Sequence, residues 1–157
     1  IKSQISSLKQ AWVYLGQERL KKFVSLIVTA YTVKSKPAEL MKMCVVRARF
    51  CELIAAQISK QQKGEAFLTG LFSLLDAILD QPMSLLVNKL PFPDDIKAAL
   101  QGEKNTLHYI LETVKAYESG SWWALEQAVL LINIDSKLLP NIYKQAVDWA
   151  DSYKNIT

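Results

Sequence analysis

Histidine is the scarcest reactive residue in this 157-residue chain, with His108 its single instance. A lone histidine cannot belong to a multi-histidine metal site, so that class of centre is excluded. Cysteine is little commoner. Cys44 and Cys51 lie seven residues apart, about 10 Å of rise on one helix, too far to bridge each other. There is no Cys-x-x-Cys zinc pattern, no phosphate-binding Gly-x-x-x-x-Gly-Lys-Ser/Thr loop, no Gly-x-Gly-x-x-Gly and no Gly-x-Ser-x-Gly. Absence of a signal peptide, of a disulfide framework and of any apolar run approaching membrane-spanning length points to the cytoplasm and away from a membrane. Charge of one sign is nowhere concentrated. Lys plus Arg exceed Asp plus Glu by 19 to 15, a net +4, with basic residues scattered among acids as on a solvated surface and not as a nucleic-acid footprint. Glycine and proline number five each, and nothing suggests disorder.

Half of the residues are hydrophobic, enough for one sizeable core. Their spacing is helical throughout. Leu20, Phe23, Val24, Ile27, Val28 and Tyr31 repeat at intervals of three and four, after a shorter helix through Ile5, Leu8, Trp12 and Leu15 that Gly16 closes. Beyond a polar break from Lys34 to Pro37, Ala38 to Gln61 reads as one long helix, with a stripe of small residues at Cys44, Ala48, Cys51 and Ala55. Small side chains let a neighbouring backbone approach, so this helix is expected to pack along the next. That next segment, Glu65 to Leu79, is apolar on nearly every side and reads as a central buried helix.

Asp76 stands inside this apolar run, where an ionised carboxylate is costly without a cation. Arg47 and Arg49 on the long helix are the expected partners, and a salt bridge from Asp76 to one of them follows. The remaining segments are also helical. Pro82 begins one turn, Asp94 and Asp95 suit the start of another, Asn105 or Thr106 caps a helix ended by Gly120, and His108 lies at the edge of that helix's apolar stripe. Trp122 and Trp123 open a helix in which both are expected to pack into the core, with one a candidate for contact with a partner. The last helix follows Asp135 and Ser136, with Pro140 in its first turn.

Two segments carry a family resemblance. Gly70-Leu71-Phe72-Ser73-Leu74-Leu75-Asp76 resembles the Gly-Leu-Leu-His-Asp-Ile-Gly frame of HD-type metal phosphohydrolases and, more closely, of their HDOD relatives. Arg47-Ala48-Arg49-Phe50-Cys51-Glu52 resembles a run found in HDOD modules attached to EAL domains, the cyclic di-GMP phosphodiesterase-type domains of bacterial signalling proteins. Ser73 and Leu74 stand where catalytic HD proteins carry the metal-binding histidine and aspartate. Neither can serve as a ligand.

The resemblance implies an all-α, multi-helix HD-like bundle, with residues 1–157 forming a single HDOD-like domain that lacks its first helices and belongs to a larger chain. It further implies a non-catalytic signal-transduction or protein-interaction module in cyclic di-GMP signalling, with no metal, no cofactor and no catalytic residue. The expected partner is a protein or a fused EAL-type domain, and the residues expected to meet a ligand or partner are Arg47, Arg49, Glu52 and Asp76. Two alternatives are a magnesium-dependent phosphohydrolase remodelled around Asp76, Glu52 and Arg47 and a nucleotide-sensing pocket in which the arginines hold phosphate. A nucleophilic pairing of Cys44 or Cys51 with His108 requires a lowered thiol pKa, and no neighbour in sequence supplies it.

Overall fold

A computed structural model describes residues 38–89 and 92–152, together with Val13 and Gly16, and all regular structure among them is helical. The long helix α1 spans Ala38–Ile58, and a 3-10 turn at Lys60–Gln62 leads into α2, Lys63–Phe72. There follow α3 (Leu75–Leu79), α4 (Met83–Lys89), α5 (Asp94–Leu100), α6 (Thr106–Ser119), α7 (Trp122–Ile132) and α8 (Leu139–Ser152). The all-α bundle is therefore as expected. The two N-terminal helices and the polar break expected before residue 38 lie outside the described residues, apart from Gly16, whose φ of +88° is the left-handed conformation suited to closing a helix.

The tightest packing joins α1 to α2, and its cause is visible in two residues. A Cβ placed on Gly70 would lie 2.7 Å from the Arg47 carbonyl oxygen and 2.8 Å from the Ala48 Cα. Only glycine on one helix facing alanine on the other allows the backbones this close, as the small-residue stripe requires. Around that contact Phe67, Phe72, Phe50 and Ile54 are fully buried. Helices α6 and α8 close the far side of α1. There Phe50, Tyr117 and Tyr143 form a triangle, with ring centroids 5.2 to 5.5 Å apart, in the range of favourable aromatic contacts.

The expected single helix from Glu65 to Leu79 is broken at Ser73 and Leu74. Ser73 turns its hydroxyl back onto the Gly70 carbonyl at 2.7 Å, and its N–H takes the same oxygen at 3.4 Å, a competing local bond of the kind that ends helices. Leu74, with φ −111° and ψ 12°, then redirects the chain. Leu75 and Ile78 point inward, whereas Asp76 and Ala77 are exposed. Later boundaries follow the sequence more closely. The Asn105 side chain caps α6 by accepting the His108 N–H at 2.8 Å, and Pro140 sits in the first turn of α8. No single helix among the described residues is long and apolar enough to cross a membrane.

Candidate functional site

The site is built where α1, the break after α2 and the end of α6 converge. Arg47 is only 6% exposed, and three of its nitrogens are engaged. Nε and Nη2 donate to the two carboxylate oxygens of Glu118 at 3.2 and 2.7 Å, and Nη1 donates to the Ser73 hydroxyl at 3.1 Å. This is the parallel, two-bond geometry in which a guanidinium best matches a carboxylate. Burial works against the arginine's charge, but the hydrogen bonds and charge of Glu118 outweigh it and raise the Arg47 pKa above its ordinary value.

The other residues expected at the site separate into two places. Arg49 pairs through Nη1 with Glu52, three residues on, and its guanidinium lies 5.3 Å from the Trp149 ring centre on α8. Glu52 is buried. Asp76 does not join either arginine, contrary to the salt bridge expected for it. It is exposed, and its Oδ1 accepts the N–H of Ala77 at 2.9 Å. The break at Ser73 is the reason, because it rotates Asp76 away from the face that the uninterrupted periodicity assigns it. Asp76 instead stands at a cavity of about 110 Å³ that it shares with Ser73, His108, Glu112 and Lys115. Arg47, Arg49 and Glu52 thus share a helix, while Asp76 belongs to another surface.

The HDOD domain matches residues 1–79, half of the chain. The chain belongs to the HDOD domain family. A curated relative from Vibrio cholerae, named cyclic di-GMP phosphodiesterase CdgJ, is 38% identical over 157 residues, covering 99% of this chain and 36% of the relative. A second, the uncharacterized protein YuxH of Bacillus subtilis, is 30% identical over 152 residues, covering 95% of this chain and 37% of the relative. The chain spans little more than a third of the length of these two relatives. No solved structure gives a significant match.

In this HDOD domain, what reaches the Ser73 hydroxyl is a guanidinium. Among the described residues no group of three His, Cys, Asp or Glu side chains is placed to hold a metal ion. Glu118, the acid that completes the Arg47 centre, is missing from the residues singled out in the sequence. It lies 71 positions from Arg47 in a helix whose charged residues look like an ordinary solvated face, so no local signal marks it. The signal that existed was Arg47 itself, a cation between two small buried residues that had to find an acid.

Cys44 and Cys51 flank Arg47 and are buried and free. Burial pushes both thiols from 9.0 up to about 12, against the lowering effect of Arg47, so neither is a nucleophile at neutral pH. A thiol whose folded pKa is raised holds its proton where the unfolded chain releases it. Its contribution to stability is complete below about pH 9 and lost as pH climbs toward about 12, at up to about 1.4 kcal/mol per pH unit for each thiol. Chemical denaturation between pH 8 and 11 should show this decline, and Cys51→Ala should make it shallower than in the unaltered chain. Equal slopes for the two proteins would contradict it.

Proposed function

We propose that this HDOD domain is a non-catalytic signal-transduction module of cyclic di-GMP signalling that acts by protein contact. The observation that carries this reading is the Arg47 centre. Where an HD phosphohydrolase needs metal ligands to activate water and neutralise phosphate, this chain places a buried arginine already held by Glu118 and Ser73. The same feature weighs against a nucleotide-sensing pocket, since phosphate would have to displace Glu118 from Arg47 and Glu52 from Arg49. It also weighs against a hydrolase remodelled around Asp76, Glu52 and Arg47, because Asp76 is not assembled with the other two.

The relative named as a cyclic di-GMP phosphodiesterase supports the signalling context. On this reading, a longer bacterial chain carries an EAL-type domain beside the HDOD domain in the cytoplasm, and that domain is the first partner to test.

The experiment is metal analysis of the purified chain, with hydrolysis assays on cyclic di-GMP and titration calorimetry against it, each with added magnesium or manganese. The expected outcome is no stoichiometric metal, no turnover above the blank and no heat of binding, with Asp76→Asn indistinguishable from the unaltered chain. Stoichiometric transition metal accompanied by turnover would defeat the proposal, and saturable heat would replace it with nucleotide sensing.

A further inference from the structure

Helix α7 carries a large apolar surface on its solvent side. Leu125, Ala128, Val129 and Ile132 face the core, whereas Trp122 is 64% exposed, Trp123 76%, Leu130 75% and Leu131 60%. Helical spacing predicts both tryptophans in the core. Trp123 is instead turned outward, and Trp122, the first residue of the helix, touches Tyr117 edge-on. At 100° per residue, Trp123 and Leu130 form a ridge along the middle of the exposed face, two turns apart. Two indoles and two leucines at these exposures present on the order of 600 Å² of apolar surface, at the top of the range for a monomer's largest patch and the mark of an interaction site.

What can cover this surface is decided by its one charge. Glu126 is the only charged residue in α7, and it is exposed. Trp122 and Trp123 stand one turn before it and Leu130 one turn after, so a partner that covers those three side chains also covers Glu126. None of the ion pairs among the described residues includes it. Taking an unpaired carboxylate out of water is costly, a cost that a partner avoids by bringing a cation. A second copy brings the opposite. Packed antiparallel about a two-fold axis, α7 lays each flank on the same flank of its copy, so Glu126 meets Glu126, and like charges across an interface oppose association. A lipid surface fits no better, because helices that lie on membranes carry lysine and arginine beside the apolar face and α7 has neither. The ridge of Trp123 and Leu130 has the shape that fits a groove between the side-chain rows of another helix.

We propose that the outer face of α7 docks a helix of a partner protein whose apolar stripe covers Trp123 and Leu130 and whose lysine or arginine pairs with Glu126. The inference rests on the protein-contact reading above and names the surface and the chemistry of the partner. This surface includes none of the residues of the Arg47 centre.

Two synthetic helical peptides of about four turns test it, each with leucines along one face and, midway along that face, either lysine or glutamate. Labelled peptide is titrated with the chain and followed by fluorescence anisotropy. The expected result is saturable binding of the lysine peptide, at least about 10-fold tighter than that of the glutamate peptide, with the order reversed in Glu126→Lys. Trp123→Ala should weaken the favoured complex at least about 30-fold, as loss of a central aromatic anchor does. Because Trp123 is exposed, this variant should keep its helical circular dichroism. No saturable binding, an unchanged order of peptides in Glu126→Lys, or a complex indifferent to Trp123→Ala would each overturn the proposal. So would a different occupant of the face, seen as self-association in sedimentation velocity, or as co-sedimentation with vesicles of phosphatidylglycerol and phosphatidylcholine, that Trp123→Ala abolishes. The signalling reading fails separately, on turnover or nucleotide binding, which these titrations do not measure.

Discussion

Substituting Glu118 by alanine is expected to lower the unfolding free energy by about 3–5 kcal/mol, because it strands a buried arginine. Arg47 is nearly inaccessible to water and donates two of its hydrogen bonds to this one carboxylate. Rotation to solvent is blocked by the packing of α1 on α2. Ser73 offers the guanidinium a single neutral acceptor, too little to hold an ion. The unaltered pair itself contributes far less net stability than its removal costs, since both charges were desolvated to make it. The double variant Arg47→Met with Glu118→Leu should therefore recover most of the loss. Urea denaturation of the two single variants and the double variant measures both quantities. A Glu118→Ala cost below about 1 kcal/mol would mean that the pair behaves as a solvated surface bridge.

Gly70→Ala is the second large effect, expected to destabilise by about 2–3 kcal/mol even though alanine is intrinsically the better helix former by about 1 kcal/mol. The added methyl meets the Arg47 carbonyl oxygen and the Ala48 backbone, at distances no real Cβ tolerates. Both obstacles are main chain of the neighbouring helix. No side chain can swing aside, so α1 and α2 must separate and the contacts between them loosen. Thermal denaturation checks the sign directly, because a melting temperature equal to or above that of the unaltered chain would show that the helices can part freely. The same displacement carries Arg47 away from Ser73, so a change in near-ultraviolet circular dichroism is expected alongside it.

Much of the architecture was legible because it depends on local pattern. Apolar residues at intervals of three and four marked α1, α6 and α8, Asn105 announced the start of α6, and the small residues of α1 foretold its close contact with α2. The reading failed where a local bond overrode the pattern. Apolar periodicity runs smoothly from Glu65 to Leu79, and nothing in it shows that Ser73 will bond to Gly70 and turn the chain. That one turn moved Asp76 from an expected ion pair to the surface. Trp122 and Trp123 failed for a different reason. Hydrophobicity predicts burial only if a neighbouring element arrives to cover the residue, and over the outer face of α7 none does among the described residues.

The candidate site divides along the same line. The presence of serine and leucine at positions 73 and 74 and that of cations on α1 are facts of composition and order that the sequence determined alone. It also required that a buried Arg47 find a counter-charge, because desolvation of an unpaired guanidinium is too costly to survive in a core. Which acid answers that requirement was decided by the tertiary structure. Glu118 reaches Arg47 because α6 crosses α1 with its last turn beside Ser73, a juxtaposition set by the fit of whole helices that no periodicity within a single segment encodes.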